Sequence, residues 1–183
     1  ARFLDIDTSK WYHEALDYVI SRKLMNGYGE RLFGPDDDTT RAQFAAILWN
    51  LTGQPASDSP LDFTDVTEGA WYTEPLRWAV GADVVLGYGN GMVGPNDPIT
   101  REQLAAMLYR YAQSQGSGFT CQWAFRMNYA DIDEISSWAW EAVCWCNMNG
   151  ILNGDDTKHL NPAQHASRAH IAQMMMNYLR NNK

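Results

Sequence analysis

Apolar residues along the chain occur in segments with helical spacing, and turn-rich stretches separate these segments. In the first segment they fall on one face of a helix, at Trp11, Ala15, Leu16, Val19 and Ile20. In the second they have the i, i+3, i+4, i+7 spacing of an amphipathic helix, at Phe44, Ile47, Leu48 and Leu51. Residues 21–40 between them are rich in Gly, Pro, Asn and Asp, which favour turns. The pattern predicts two helices joined by a long loop.

A capping signal marks the start of the second helix. Thr40 precedes the apolar face and Gln43 stands three residues later, which is the arrangement of a capping box. The arrangement recurs further along the chain, as Thr100 with Gln103 and, in a weaker form, as Ser167 with His170. Each of the three caps is followed by an arginine, at Arg41, Arg101 and Arg168. We therefore expect an arginine at the first position of three helices.

The whole pattern occurs three times. Landmarks of the first copy return after 60 residues without a gap: Trp11 and Trp71, Gly27 and Gly87, Gly34 and Gly94, Arg41 and Arg101. The third copy follows the second by 67 residues, at Trp138, Gly154, Pro162 and Arg168. Its opening segment at Tyr129 follows Phe63 by 66, so one residue is inserted before Trp138. Self-similarity at such a period indicates a repeat architecture.

These units predict an all-α fold of three helix-loop-helix repeats. We place the repeats at 1–53, 62–113 and 129–183, with linkers of loop composition at 54–61 and 114–128. A helical pair of this size cannot close a core alone, so the repeats must bury their apolar faces on one another. We favour packing of the three second helices about a pseudo-threefold axis, with the pairs stacked in a row as the alternative.

Composition excludes several classes of protein. The chain has 183 residues with 14 Lys+Arg against 22 Asp+Glu, a net charge of −8. Nucleic-acid binding needs clustered basic residues, and none are present. No stretch approaches the 18 consecutive apolar residues of a membrane span, so we expect no membrane insertion. The first residues lack the pattern of a signal peptide, which leaves a cytosolic protein or an excised piece of a processed one.

The ordered landmarks resemble those of the S-layer homology (SLH) domain. They are the Asp of F-x-D-I, the Trp of W-Y-x-E-A-L, the Gly-Tyr of N-G-Y-G, the Gly-Pro of F-G-P and the Thr-Arg of T-T-R-A-Q-F. The resemblance covers essentially the whole chain in three tandem copies. It implies a three-pronged, pseudo-threefold spindle with a central three-helix bundle, one compact and monomeric pseudo-trimer, with ligand grooves between adjacent repeats.

The resemblance also implies a function. SLH domains hold surface proteins non-covalently on bacterial cell walls by binding an anionic secondary cell-wall polysaccharide, often one with pyruvate ketals. We therefore expect a non-catalytic module at the extracellular bacterial surface, its signal peptide removed, with no cofactor and no metal. The alternative is a module for protein–protein interaction or surface-layer assembly, because exposed Trp and Tyr side chains also suit protein partners.

The family's Thr-Arg-Ala-Glu motif supplies its main anion-binding arginine, and it matches Arg41, Arg101 and Arg168. At a helix start, a carboxylate would meet free backbone N–H groups, the helix dipole and a guanidinium fork. The alternative is that each arginine pairs with a neighbouring carboxylate, such as Asp5, Asp65 or Asp131.

This chain departs from the family motif at several positions. The motif's Glu is replaced by Gln43, Gln103 and His170, and its Ala is Glu102 in the second copy. The third copy reads Asn153-Gly154-Asp155 where the others have Gly-Tyr-Gly. The groove formed with the third copy is therefore the one least expected to bind ligand.

Trp and Gly residues complete the candidate ligand-binding set. For Trp11, Trp71 and Trp138 we favour a core position that anchors the first helix on the second, with one edge left for stacking on a sugar. Gly29 and Gly89 are chosen as positions where the missing Cβ lets a polysaccharide approach the backbone.

The remaining reactive residues suggest no catalytic or metal site. The run 36–38 lacks the alternating ligands of a calcium loop, and the four His residues lack metal-ligand spacing with the Cys. Cys144 and Cys146 lie two apart on a predicted helix, so they face different ways. Cys144 aligns with the polar residues Asp17 and Arg77 and is expected to be exposed, whereas Cys146 is expected to be buried. A disulfide between Cys121 and Cys144 is the preferred pairing in an exported protein, with three reduced thiols as the alternative.

Overall fold

A computed structural model of the protein describes residues 3–119 and 125–181. Within these ranges the regular structure is helical. The long helices are α1 (His13–Ser21), α2 (Arg41–Leu51), α3 (Thr73–Gly81), α4 (Arg101–Ser114), α5 (Trp140–Met148) and α6 (Arg168–Asn181). Two short 3₁₀ turns lie at Gly29–Arg31 and Ile132–Glu134. The all-α prediction is confirmed, since the described residues form isolated β-bridges but no strand.

The second helix of each repeat begins at the expected arginine. The Thr40 hydroxyl accepts from the N–H of Gln43, and the Gln43 side chain accepts from the N–H of Thr40, which completes the predicted capping box. Thr100 and Gln103 form the same box before α4. Ser167 and His170 also bond reciprocally, with the His170 ring in place of the amide.

Helix packing crosses the boundaries between repeats. The first helix of each repeat packs on the second helix of the preceding repeat: α3 on α2, α5 on α4 and, closing the circle, α1 on α6. The apolar face of every helix is therefore covered by a different copy of the unit. This arrangement explains why no single repeat encloses a core.

The three repeats meet at a pseudo-threefold ring of backbone hydrogen bonds. The Thr39 N–H donates to the Ala166 carbonyl, the Ala166 N–H to the Ile99 carbonyl, and the Ile99 N–H to the Thr39 carbonyl. The second helices start next to this ring. Near their far ends Tyr111 of α4 contacts Tyr178 of α6 edge-to-face, and the Tyr111 hydroxyl lies 3.4 Å from that of Thr52, just after α2. The second helices α2, α4 and α6 therefore lie around the pseudo-threefold axis.

Candidate functional site

The three helix-start arginines join neighbouring repeats. The Nε and Nη2 groups of Arg41 donate to the carbonyls of Val93 and Leu86, at 3.0 and 2.9 Å, in the loop of the second repeat. Arg101 does the same to Leu160 and Asn153 in the third repeat. Arg168 returns to Phe33 and Asn26 in the first repeat. Each guanidinium therefore bridges two carbonyls of the next repeat's loop.

Within the described residues the three arginines form no direct ion pair with Asp5, Asp65 or Asp131, although the charges of these carboxylates act on them at longer range. Asp5 accepts from the N–H groups of Phe33 and Gly34, which belong to the same loop that Arg168 contacts. The equivalent carboxylates Asp65 and Asp131 accept the matching N–H groups in their own repeats. In each loop the aspartate thus accepts from the backbone N–H groups, and the arginine donates to the backbone carbonyls. The carboxylate and the guanidinium do not contact each other directly.

The helix starts do not offer the free N–H groups that the sequence suggested. The N–H groups of Arg41 and Ala42 donate to the carbonyls of Asp97 and Pro95 in the adjacent repeat. The next donor, Gln43 N–H, is taken by the Thr40 hydroxyl. The same bonds recur at α4 and α6. Because these termini form the seam between repeats, any anion must be bound by the guanidinium groups and not by the helix N-termini.

Each guanidinium has N–H groups that these two carbonyls do not use. Arg41 has five N–H bonds and uses two on the described carbonyls, and the residue also lines a cavity where its other N–H groups could meet a ligand. Its planar group lies over the ring of Tyr88, 4.8 Å from the centroid. Burial lowers the pKa of Arg41, and the charges of Tyr88, Asp97 and Asp65 partly offset this. Arginine stays protonated under such a shift, so the site keeps its positive charge.

Two cavities lie beside these arginines. The Arg41 groove has a volume of about 340 Å³, and its polar or aromatic lining consists of Arg41, Tyr88, Gln103, Arg110 and Trp138. The Arg101 groove has a volume of about 550 Å³ and is lined mainly by Trp11, Arg101, Asn153, Gly154, Asp155, Asp156, His170 and Gln173. Both volumes fall in the range of small-ligand sites.

All three repeats contribute to each groove. The Arg41 groove takes its arginine from the first repeat, its loop from the second and Trp138 from the third. The Arg101 groove takes the arginine from the second, the loop from the third and Trp11 from the first. By the same register the third combination would be Arg168, the loop at Tyr28 and Trp71. The ring of Tyr28 lies 4.8 Å from Arg168, as Tyr88 does from Arg41.

The core position favoured for the three tryptophans is wrong. Trp11, Trp71 and Trp138 are 58%, 61% and 54% exposed. The following tyrosines, Tyr12 and Tyr72, are the buried residues of the pair. Trp11 lies 5.3 Å from His170 with the rings tilted by 31°, so the indole stands at the wall of the Arg101 groove. Large exposed aromatic faces beside polar groups are suited to stacking on sugar rings.

The glycines that line the grooves are not the two chosen from sequence. Gly29 and Gly89 have open space where a Cβ would stand, and neither is among the lining residues. Gly87 and Gly154 do line the cavities. A Cβ on Gly87 would stand 2.6 Å from the Phe63 ring, so the glycine lets the loop pack on that ring. Whether Gly29 and Gly89 approach a ligand stays a prediction.

The loop of the third repeat is organised by Asp155, which stands where the other repeats have Tyr. Its carboxylate accepts from the Thr157 N–H and hydroxyl and from the His159 N–H, and Asn161 donates to its other oxygen. These donors hold the pKa of Asp155 well below its ordinary range. The departure from Gly-Tyr-Gly thus replaces an aromatic wall with a charged one, and the loop still borders a cavity.

Glu102, the acid beside Arg101, contacts the same repeat as Arg101 but a different segment of it. Its two carboxylate oxygens accept from the N–H and hydroxyl of Ser136, at 2.9 and 2.8 Å. Ser136 lies two residues before Trp138, so the buried Glu102 side chain fixes the turn that presents this indole to the Arg41 groove. The sequence signal was present, because Glu102 is the only acid among the three equivalent positions.

The expected exposure of Cys144 is wrong. Cys144 and Cys146 are both fully buried on α5 and form no disulfide with a described residue, and burial raises the pKa of Cys144 to about 11. Cys121 lies outside the described residues, so the Cys121–Cys144 bridge stays a prediction.

Among residues 3–119 and 125–181 no cluster of His, Cys, Asp and Glu has the arrangement of a metal site. Over the same ranges, every helix is too short or too polar to cross a bilayer.

The fold and these grooves define a class of protein, a helical module of three repeats whose candidate binding surfaces are shared between repeats. The chain belongs to the S-layer homology domain family, whose model matches residues 2–45, 62–105 and 128–172. Each match covers the greater part of one repeat, and the resemblance seen in the sequence is confirmed.

Related proteins include both enzymes and surface proteins. The chain is 28% identical over 169 residues to an amylopullulanase of Thermoanaerobacterium thermosulfurigenes, covering 92% of this chain and 9% of the relative. It is 29% identical over 107 residues to the S-layer protein sap of Bacillus anthracis, covering 58% of this chain and 13% of that protein. It is 27% identical over 96 residues to a cellulosome-anchoring protein of Acetivibrio thermocellus, covering 50% of this chain and 22% of that protein. The chain spans less than a quarter of the length of each of these relatives.

Proposed function

We propose that this chain is a non-catalytic module that anchors a protein to the bacterial cell wall by binding an anionic secondary cell-wall polysaccharide in its inter-repeat grooves. The observation that carries the proposal is the composition of the two grooves. Each combines a guanidinium with unused donors, a loop from the next repeat and an exposed indole from the remaining one. A cation beside an aromatic face is a chemistry suited to an acidic sugar.

The relatives support a role at the cell surface. One is named an S-layer protein and another a cellulosome-anchoring protein, and the third is an enzyme many times longer than the shared segment. A segment common to such different proteins is suited to attachment rather than to one reaction. We therefore place this chain outside the cell, on the wall, and assign the ligand contacts to Arg41, Arg101, Trp11 and Trp138.

The net charge of the chain constrains how the polymer is bound. A protein with a net charge of −8 repels an acidic polysaccharide at long range. Attraction must come from contacts inside the grooves, where water is partly excluded and screening by salt is weaker. Binding is therefore expected to persist in added salt, unlike binding by a basic surface patch.

The test is sedimentation of the protein with purified bacterial sacculi, before and after acid extraction of the secondary polymers. We expect binding that disappears on extraction and that Trp138→Ala and Trp11→Ala weaken. Trp140→Ala is the matched control, because Trp140 is also exposed but lines neither groove. Binding that survives extraction would point to peptidoglycan. No binding to several wall types would overturn the proposal and favour a protein partner or self-association.

A further inference from the structure

The two grooves have opposite charge. The lining of the Arg41 groove contains two arginines, Arg41 and Arg110, and no carboxylate. The lining of the Arg101 groove contains one arginine together with Asp155 and Asp156. Although the repeats are related by pseudo-threefold symmetry, this difference favours different groups of one polysaccharide in the two grooves, because local charge decides which groups bind.

Arg110 is the residue that sets the Arg41 groove apart. It lies seven residues after Gln103 on α4, two helical turns along the same face, and both side chains line the cavity. Arg110 is half-buried, and within the described part of the chain it makes no hydrogen bond and no ion pair. Burial, with repulsion by Arg41, lowers its pKa, and the charge of Asp83 only partly offsets this.

The repeat does not require an arginine at this position for its fold. The equivalent residues are Asn50 and Asn177. Asn177 donates to the Ile151 carbonyl and accepts from Gln173, so its amide is used in packing. Arg110 has no such structural partner within the described residues, and it lines the same cavity as the Arg41 guanidinium, whose charge lowers the pKa of Arg110. Two neighbouring cations, both with free donors, are stabilised when anions bind between them.

We propose that the Arg41 groove binds a stretch of polysaccharide with two acidic groups, one on Arg41 and the second on Arg110, and that Arg110 gives this groove its specificity. This proposal rests on the proposed wall-anchoring function. The Arg101 groove, with its two aspartates, is correspondingly suited to an uncharged part of the chain stacked on Trp11. The acidic groups are carboxylates or phosphates, since a guanidinium fork binds either in bidentate fashion.

The test uses the whole chain and polysaccharide solubilised from the sacculi, with calorimetric titration of binding. Arg110→Asn introduces the residue found in the other repeats and is expected to weaken binding about 10-fold or more, the effect of losing one charge-assisted contact. Arg110→Lys keeps the charge but loses the bidentate fork, so it is expected to bind more weakly than the wild type and more tightly than Arg110→Asn. Arg22→Asn removes the same charge from an exposed site outside both grooves and is expected to change binding less than about twofold.

Chemical treatment of the polymer identifies the acidic group. Carboxyl reduction removes carboxylates and hydrogen fluoride removes phosphates. The treatment that removes the relevant group should weaken binding by the wild-type protein and abolish its advantage over Arg110→Asn. Equal binding by the wild type and Arg110→Asn would overturn the proposal and leave wall anchoring intact. A difference that persists on polymer stripped of both groups would also overturn it. Failure of the wild type to bind any wall polymer would overturn both proposals together.

Discussion

Arg168 and Phe33 close the ring of repeats: Nε of Arg168 donates to the Phe33 carbonyl at 2.8 Å, across 135 residues of sequence. The same guanidinium lies 4.5 Å from the centroid of the Phe33 ring. At the same seam α1 packs on α6. The first and third repeats are therefore held together as the other neighbouring pairs are, and the arginines that border the grooves are also structural residues.

This double role predicts a loss of stability when the arginine is removed. Arg168→Met should lower the free energy of unfolding by roughly 2–4 kcal/mol, because two carbonyls at a buried seam lose charged donors. Urea denaturation measures the change. Arg126→Met, at an exposed position, is the control and should cost less than about 0.5 kcal/mol. Similar losses in the two variants would contradict a structural role for Arg168.

Two glycines in one loop, Gly27 and Gly29, differ in the space around them. A Cβ at Gly27 would overlap the Phe3 ring and stand 2.6 Å from the Leu32 carbonyl, whereas a Cβ at Gly29 would meet nothing within 4 Å. Gly27→Ala should therefore destabilise the protein by about 1–3 kcal/mol, and Gly29→Ala should leave its stability nearly unchanged. Thermal unfolding of the two variants checks this, and equal melting temperatures would contradict the packing argument.

The part of the fold that follows from local pattern could be predicted from the sequence. The starts of α2 and α4 follow from the Thr-x-x-Gln caps, that of α6 from the weaker Ser167–His170 pair, and all three from the recurring arginine, because a capping box is a local arrangement. Helix periodicity shows which face is apolar but not which helix covers it. The packing of α3 on α2, rather than on the second helix of its own repeat, therefore has no sequence signal.

The site was harder to predict because its contacts involve the backbone. Arg41 is bound by the backbone carbonyls of Val93 and Leu86, and every residue type has such a carbonyl, so the sequence does not indicate these contacts. The exposure of Trp138 could not be predicted from the pattern either. An indole that fits the apolar periodicity at a helix start is predicted to be buried. Arg110 did carry a signal, as the arginine at a position where the other repeats have Asn, but its meaning depends on the cavity that α4 borders.

One buried hydroxyl at the pseudo-threefold axis predicts a stabilising change. Thr39 is fully buried, and its Oγ1 has no hydrogen-bond partner within the described residues. The equivalent residues Ile99 and Ala166 are apolar. Thr39→Val keeps the shape and removes the desolvated hydroxyl, so it should raise the free energy of unfolding by about 1 kcal/mol. Thr39→Ser, which keeps the hydroxyl and loses a methyl group, is the control and should destabilise. A melting temperature for Thr39→Val below that of the wild type would show that the hydroxyl has a partner.

The buried thiols predict slow chemical modification. Burial raises the pKa of Cys144 to about 11 and raises that of Cys146 further, so neither forms a thiolate at neutral pH. Both should react with iodoacetamide only after denaturation, as peptide mass spectrometry without reductant would show. The same spectra test the predicted Cys121–Cys144 disulfide, because a linked peptide would remove Cys144 from the alkylated fraction. Rapid native labelling of Cys144 would contradict its burial.

His170 predicts a pH-dependent loss of stability that the other two caps lack. The Ser167 N–H donates to Nδ1 of His170 at 3.2 Å, so the ring acts as the acceptor of the capping box and must be neutral there. Burial lowers the pKa of His170, repulsion by Arg101 lowers it further, and Asp36 partly offsets this. Above the ordinary histidine pKa of about 6.5 neither the folded nor the unfolded state binds a proton, so the group contributes no pH dependence. Below it the unfolded state binds the proton first, and the folded state loses stability until the pH reaches the lowered pKa.

His170→Gln should remove this dependence, because Gln43 and Gln103 make the same reciprocal bond without a titrating group. The melting temperatures of the variant and the wild type serve as the reference at pH 7.5, where the ring is neutral in both states. When the pH is lowered to 5.5, the melting temperature of the wild type should fall further than that of the variant. The difference between the two melting temperatures should therefore shift in favour of His170→Gln. The carboxylates titrate alike in both proteins and cancel in that difference. Parallel curves would mean that the imidazole of His170 is as easily protonated in the folded groove as in the unfolded chain.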